Sequence, residues 1–120
     1  MDARPLIAVV DDEESVRRAL ARMLSVSRFD VAVFGSGEEF LESLAGRIPD
    51  CVLLDIQMPG LTARDVQRQL AGSPIRIPVI IVTAHDQPAM REQCFADGAV
   101  AYLTKPLRRE YLVAAINAVV

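Results

Sequence analysis

The sequence contains no tryptophan, only two cysteines and no long apolar run. Because a membrane span needs about 20 apolar residues in succession, no such span is expected. The segment 1–5 precedes only a short apolar run before Asp11, which is not the pattern of a secretion signal. Cys51 and Cys94 both lie in apolar stretches. We therefore expect two reduced core cysteines in a cytoplasmic protein, rather than a disulfide or a metal pair.

Positive charge is also scarce. The chain carries 13 Lys and Arg against 16 Asp and Glu, a net charge of −3, which gives no electrostatic basis for direct nucleic-acid binding. The stretch Gly35-Ser36-Gly37 lacks the third glycine of a dinucleotide-binding loop and follows the second predicted strand rather than the first. With 120 residues, 52% of them hydrophobic, the chain is predicted to form one domain, 1–120, around one core.

Five short apolar runs, each bounded by polar or turn residues, predict buried strands. These runs are Leu6–Val10, Val31–Phe34, Cys51–Leu54, Ile77–Val82 and Val100–Thr104. A continuous apolar run is typical of a parallel strand that helices cover on both faces.

Helical patterns separate and follow these strands. The first helix follows the acidic cluster 11–14 and carries apolar residues at helical spacing through Leu24. Ser36 and Glu39 form a capping-box pattern for the second, and Thr62 can cap the third. The fourth and fifth are predicted over 87–97 and 108–118, the last with Tyr111, Leu112, Ala115, Ile116 and Val119 as its buried stripe.

The alternation of strands and helices predicts an α/β fold. Its connections are too long for hairpins and suit right-handed crossovers between parallel strands. The expected architecture is a doubly wound five-stranded parallel sheet, a flavodoxin-like (βα)5 arrangement with strand order 2-1-3-4-5.

The polar residues that look functional all stand at carboxyl ends of predicted strands. Asp11 and Asp12 follow the first strand, Asp55 the third, Thr83 the fourth and Lys105 the fifth. Ligands of doubly wound sheets bind at that rim. Each residue alone has an ordinary structural explanation, such as a helix-start charge or a turn, but their shared position favours one site.

The chemistry of this set points to phosphoryl transfer. Carboxylates that converge repel one another unless a cation compensates, and oxygen ligands suit Mg2+, or Mn2+, better than zinc. Lys105 adds a positive charge and Thr83 a hydroxyl, both suited to oxygens of a phosphoryl group. Asp55 is the candidate nucleophile, because a carboxylate can form an acyl phosphate.

These segments resemble the receiver domain of bacterial two-component response regulators, the CheY-like family. The resemblance rests on segments in the right order along essentially the whole chain. They are Val9-Val10-Asp11-Asp12-Glu13, Leu53-Leu54-Asp55-Ile56-Gln57-Met58-Pro59-Gly60, Val82-Thr83-Ala84 and Ala99-Val100-Ala101-Tyr102-Leu103-Thr104-Lys105-Pro106. Such a domain is a signalling phosphoacceptor that catalyses only its own phosphorylation and dephosphorylation, as part of phosphorelay signal transduction.

The resemblance implies a role for each site residue. A sensor histidine kinase would donate phosphoryl to Asp55, while Asp12, Asp55 and the backbone carbonyl of Gln57 hold Mg2+ and Asp11 acts partly through water. Thr83 and Tyr102 would form the switch, with Tyr102 turning inward. The Lys105-Pro106 bond would be cis.

The same resemblance implies an output surface. The fourth helix, fifth strand and fifth helix would form the output or homodimerisation face, and the output would be control of transcription. At Ala63-Arg64 the sequence departs from the family pattern, which has Gly and an apolar residue there. The loop after Asp55 is therefore expected to differ in conformation.

Two other functions remain open from the residues. One is a flavin- or nucleotide-binding module, which the acidic first loop, 11–14, disfavours because it repels phosphate. The other is a degenerate receiver that serves only as an interaction surface. His85, the one histidine, is interpreted as a surface-loop residue, with modulation of the pocket as the alternative.

Overall fold

The computed structural model describes residues 4–120. The five strands form one parallel sheet in the order β2-β1-β3-β4-β5, which confirms the predicted order. The strands are β1 (Leu6–Val10), β2 (Asp30–Phe34), β3 (Cys51–Asp55), β4 (Val79–Thr83) and β5 (Ala101–Thr104). The helices are α1 (Glu14–Val26), α2 (Gly37–Ser43), α3 (Ala63–Ala71), α4 (Pro88–Ala96) and α5 (Arg109–Asn117).

The sheet is the middle layer, because successive strand residues point to opposite faces and both faces are apolar. On one face Val52 and Leu54 join a cluster with Phe40 of α2 and Val66 of α3. On the other, the neighbouring Leu53 joins a cluster built from α1 and α5. β3 is the middle strand of the sheet, and all five of its residues are buried, as are those of β1 and β4.

The predicted caps of the second and third helices are present. The Ser36 hydroxyl accepts a hydrogen bond from the Glu39 N–H, while the Glu39 carboxylate accepts from Gly35 N–H instead of closing a full capping box. Thr62 caps α3, and here Asp65 completes the box. The second and third helices thus begin at the predicted residues, because the Ser36 and Thr62 side chains cap their first turns.

The structure differs from the prediction at the start of β4 and at Tyr111, and it confirms the buried, free cysteines. β4 begins at Val79 rather than at Ile77, because Pro78 has no N–H for the sheet. Cys51 and Cys94 are buried and free, and burial raises the pKa of Cys51 to about 12. Tyr111 was expected in the buried stripe of α5, and this was wrong, since the residue is 61% exposed.

The error at Tyr111 has a simple geometric origin. Only Leu112 and Ile116, four residues apart, are fully buried on α5, so the helix buries a narrow stripe and Tyr111 lies beside it.

None of the helices in the described part of the chain has the length and apolar character needed to cross a bilayer.

Candidate functional site

Strand register brings the candidate site residues to one rim. Val10 pairs with Leu54, so the residues that follow them, Asp11 and Asp55, are neighbours across β1 and β3. Asp55 in turn pairs with Val82, and Thr83 lies one residue beyond. Thr83 pairs with Thr104, directly before Lys105. Because parallel strands end at the same edge, one small area collects side chains from four strands.

Three carboxylates form the centre of this area. Oxygens of Asp11, Asp12 and Asp55 lie within 4.8 Å of one another. Asp11 and Asp55 are buried, at 2% and 5% exposure, whereas Asp12 is exposed to solvent. A set of carboxylate oxygens open to water on one side fits a hard divalent cation that keeps several water ligands, as Mg2+ does.

The pKa of Asp55 is raised because its carboxylate is buried and lies close to other acids. Burial is the largest cause and the Asp11 charge the next, and together they raise the pKa of Asp55 from 3.8 to about 6. Lys105 and a hydrogen bond from the Gln57 N–H, at 3.3 Å, act in the opposite direction but do not cancel the rise. A further positive charge nearby would therefore stabilise the ionised form of Asp55.

Lys105 lies between the two buried carboxylates. Its Nζ donates to Oδ2 of Asp11 at 2.8 Å and lies 3.8 Å from Oδ2 of Asp55. Burial by itself would lower the pKa of Lys105, but the hydrogen bond to Asp11 and the charge of Asp55 outweigh it, and the pKa is raised. Lys105 is thus a firmly charged ammonium directed at the acidic cluster.

Thr83 is fully buried at the end of β4, and its hydroxyl is engaged within its own loop. The Oγ1 atom accepts from the His85 N–H at 3.0 Å and donates to the His85 carbonyl at 3.1 Å. Its role toward a phosphoryl group therefore stays a prediction. The side chain of His85 is exposed, in agreement with a surface-loop position.

Tyr102 occupies an inward position on β5, with 8% exposure. Its hydroxyl is buried and forms no well-formed hydrogen bond with the residues that the structure describes. Burial is the largest cause that raises its pKa, while the nearby Gln87 N–H acts in the opposite direction and the Asp86 carboxylate adds to the rise. The Arg91 guanidinium lies over the Tyr102 ring, 5.6 Å from its centroid, and also over Phe95, at 5.9 Å. The aromatic ring is thereby tied to α4, a contact that the sequence pattern did not reveal because α4 has little amphipathic character.

The loop between Asp55 and α3 holds a backbone turn that requires glycine. Gly60 has φ of +78°, and a Cβ there would lie 2.8 Å from the Glu38 carboxylate. Ala63 and Arg64, the two residues that depart from the family pattern, lie after this loop, in the first turn of α3. Ala63 is buried at the start of α3, and Arg64 forms an ion pair with Asp97 at 3.2 Å, linking α3 to the end of α4.

The remaining site expectations have mixed outcomes. The Lys105-Pro106 peptide bond is cis, as expected. Gln57 is exposed and its N–H contacts Asp55, while the role of its carbonyl as a metal ligand stays a prediction. The β1–α1 loop is acidic and α1 begins without a side-chain cap, which is not the N–H-rich cradle of a flavin or nucleotide phosphate.

Comparison with known proteins gives a consistent result. A sequence model described as the response regulator receiver domain matches residues 7–117. Nodulation protein W of Bradyrhizobium diazoefficiens is 36% identical over 115 residues, covering 96% of this chain and 51% of that protein. Response regulator MprA of Mycobacterium tuberculosis is 38% identical over 112 residues, covering 93% of this chain and 49% of that protein. The chain thus spans about half the length of these relatives.

Solved structures agree with the sequence relatives. A response regulator receiver protein from Burkholderia phymatum is 44% identical, with a TM-score of 0.85, and the match covers 97% of this chain and 94% of that one. The similarity therefore extends over the whole fold, including all four strands that carry the site residues.

Proposed function

The chain belongs to the response regulator receiver domain family, and on that premise we propose that it is a Mg2+-dependent phosphoacceptor whose nucleophile is Asp55. The single observation that carries the proposal is the cluster of Asp11, Asp12 and Asp55 with Lys105 beside it. A buried carboxylate with a pKa near 6, next to two other acids and one ammonium, is poorly compensated by protein groups alone.

The transfer is a displacement at phosphorus. An Oδ atom of Asp55 attacks the phosphorus of a phosphohistidine on a sensor histidine kinase, a P–O bond forms, the P–N bond breaks, and the imidazole leaves with the bond electrons and takes a proton. Bound Mg2+, or Mn2+, would neutralise the developing charge on the phosphoryl oxygens. The residues proposed to hold it are Asp11, Asp12, Asp55 and the Gln57 carbonyl.

Lys105 and Thr83 complete the site in this proposal. Lys105 would leave Asp11 and pair with a phosphoryl oxygen, since its Nζ is already 3.8 Å from Asp55. Thr83 would exchange its hydrogen bond with the His85 carbonyl for one to another phosphoryl oxygen. Water attack at phosphorus would later return free Asp55 and inorganic phosphate. The domain therefore catalyses only its own phosphorylation and dephosphorylation, as a signalling module.

An apolar groove beside the site supports docking of the kinase. The groove, of about 300 Å3, runs between α1 and residues 105–107, and its lining includes Val16, Ala19, Met23 and Leu107. A partner helix seated there would contact Lys105, which lines the groove and also belongs to the acidic site. We also propose that the protein acts in the cytoplasm, where response regulators typically act.

The output surface is proposed to be the face of α4, β5 and α5. Phe95 and Tyr111 are 41% and 61% exposed on it, and Arg91 and Arg108 stand over aromatic rings there. Exposed aromatics flanked by arginines are typical of a contact surface. We propose that Thr83 and Tyr102 alter this face on phosphorylation, for homodimerisation and control of transcription by the rest of a longer regulator.

Intact mass after incubation with phosphoramidate, a small phosphohistidine analogue, tests the phosphoacceptor role. With Mg2+ present, the parent protein should gain one phosphoryl group, and chelation of the metal should prevent the gain. The matched variant is Asp55→Asn, which keeps the shape and removes the nucleophile. Equal labelling of Asp55→Asn and parent protein, or no labelling of the parent, would refute the proposal.

A further inference from the structure

Arg17 of α1 reaches back to the loop that carries the acidic residues. Its Nη1 atom donates to the backbone carbonyl of Asp11 at 2.8 Å, and the side chain is half-buried. This carbonyl belongs to the peptide unit that joins Asp11 to Asp12. A hydrogen bond to it restrains the ψ angle of Asp11 and the φ angle of Asp12, and these angles set the direction of the Asp12 side chain.

The other groups of Asp11 are restrained independently. Its N–H donates to the Phe34 carbonyl at 3.1 Å, and its carboxylate accepts from the Glu13 N–H at 3.0 Å and from Lys105 at 2.8 Å. Arg17 adds a charged donor on the carbonyl, which is a stronger bond than one between neutral groups. Asp12, by contrast, is exposed and depends on the preceding peptide for its orientation.

The neighbouring loop leaves room for this contact. A Cβ at Gly35 would lie 3.4 Å from Nη1 of Arg17, so the guanidinium packs against the bare backbone between β2 and α2. The Gly35 N–H donates to the Glu39 carboxylate at 3.2 Å, which fixes that loop in turn. The guanidinium therefore sits between two loops of the rim at a defined place.

We propose that Arg17 is a positioning residue for the Mg2+ site, which holds the Asp11–Asp12 peptide so that both carboxylates converge. The inference rests on the proposed function, because it assumes that these acids bind the cation. Groups that orient metal ligands without touching the metal typically change affinity 10- to 100-fold when removed. Arg17 would orient the two ligands through its hydrogen bond to the Asp11 carbonyl, without contacting the metal itself.

Arg18 is the matched control for charge. It is the next residue on the same helix, it is exposed, and its contact is an i,i+4 ion pair with Glu14. Arg17→Gln and Arg18→Gln remove the same charge from adjacent positions, so a purely long-range electrostatic effect would be similar in both. Only Arg17→Gln removes the hydrogen bond to the Asp11 carbonyl.

The test is a Mg2+ titration of the intact chain followed by amide chemical shifts. We expect Arg17→Gln to weaken Mg2+ binding about tenfold or more, and Arg18→Gln to change it by less than about twofold. Arg17→Lys, which keeps a charged donor, should recover part of the affinity. In the absence of metal, the Asp12 amide should exchange with solvent faster in Arg17→Gln than in Arg18→Gln.

The outcomes separate this inference from the function on which it rests. If the parent protein shows no Mg2+-dependent shifts, the proposed function fails. If the parent binds Mg2+ and both glutamine variants bind equally well, the role of Arg17 is overturned. If Arg17→Gln does not fold, Arg17→Ala and Arg18→Ala replace the pair: equal Mg2+ affinities overturn the role of Arg17, and a lower affinity in Arg17→Ala alone supports it.

Discussion

Nζ of Lys105 is hydrogen-bonded to Asp11 at 2.8 Å and lies 1 Å farther, at 3.8 Å, from Asp55. The lysine therefore compensates Asp11 through a direct hydrogen bond and Asp55 only through a longer ion pair, which lowers the pKa of Asp55 without cancelling its rise. Asp55 keeps a raised pKa although an ammonium is close. This arrangement leaves the charge of Asp55 available to a cation, while Lys105 neutralises part of the acidic cluster through Asp11.

Replacing Lys105 by methionine should separate metal binding from phosphorylation. The change removes a cation that competes for Asp11, so Mg2+ affinity should stay equal or increase, whereas phosphoryl labelling should slow. Without metal, the loss of the Lys105 ammonium beside the buried Asp11 carboxylate should lower the free energy of unfolding by about 1–3 kcal/mol, and Mg2+ should restore part of it. Urea unfolding with and without Mg2+ measures this, and a loss of Mg2+ affinity in the variant would contradict it.

Asp12→Asn should weaken Mg2+ binding at least tenfold, or about 1.4 kcal/mol, because it removes the exposed carboxylate of the cluster. Glu14→Gln is the control, since Glu14 is an exposed acid two residues away that pairs with Arg18. Amide-shift titration with Mg2+ gives both affinities. Equal affinities for the two variants would exclude Asp12 as a ligand.

The pH dependence of stability follows from the Asp55 pKa of about 6. A raised acid pKa means that the fold favours the neutral form, so the stabilising effect is present below pH 3.8 and is lost as the pH rises through 6. Asp55→Asn should therefore be more stable than the parent at pH 7.5 without metal, by up to about 3 kcal/mol. Below pH 4 the two should be equally stable.

Denaturant unfolding at several pH values checks this difference. Glu42→Gln, at an exposed position on α2, serves as a control for a change of net charge alone. A parent protein as stable as Asp55→Asn at pH 7.5 in the absence of metal would show that the cluster is not strained. Mg2+ binding to the parent should also weaken as the pH falls through 6, because protons then compete for Asp55.

Tyr102→Phe should stabilise the protein by about 1 kcal/mol, since it removes a buried hydroxyl that lacks a hydrogen-bond partner. The phenyl ring keeps the contact with Arg91 at 5.6 Å. Thermal and urea unfolding measure the change. A destabilised Tyr102→Phe would mean that the hydroxyl contributes a favourable contact, with the Gln87 N–H and the Asp86 carboxylate as the candidates.

Gly60→Ala should destabilise the fold by about 1–2 kcal/mol, because the residue has a φ of +78°; the Glu38 carboxylate near its Cβ position is the end of an exposed, flexible side chain and can move aside. Gly46→Ala is the control, since its nearest neighbour for a Cβ is the Ser43 carbonyl at an ordinary 3.6 Å. Equal stability of the two variants in urea would contradict the requirement for glycine in the loop after Asp55.

Much of this arrangement was accessible from the sequence because of how parallel sheets work. Buried strands leave continuous apolar runs, as in β3, and a polar residue directly after such a run must lie at the rim. Asp11, Asp55, Thr83 and Lys105 could therefore be assigned to one edge without coordinates. The N-caps at Ser36 and Thr62 are local patterns and are confirmed, although the Glu39 carboxylate accepts from Gly35 and does not close the box predicted at Ser36.

Contacts that depend on side-chain reach were not accessible. The sequence does not indicate that Lys105 prefers Asp11, that Arg17 reaches the Asp11 carbonyl, or that Arg91 covers Tyr102. Each contact joins residues on different elements, and the choice among near neighbours depends on distances of an ångström. The exposed Tyr111 has the related cause that α5 buries only one narrow stripe.

The phosphoacceptor chemistry of Asp55 is tested most simply by 19F NMR of beryllofluoride, a phosphoryl analogue, added to the protein with and without Mg2+. We expect a protein-bound fluorine signal that requires Mg2+, is retained in Glu14→Gln and is absent from Asp55→Asn. A bound signal that persists in Asp55→Asn, or that forms equally well after all divalent metal is removed, would exclude Asp55 as the Mg2+-dependent phosphoacceptor.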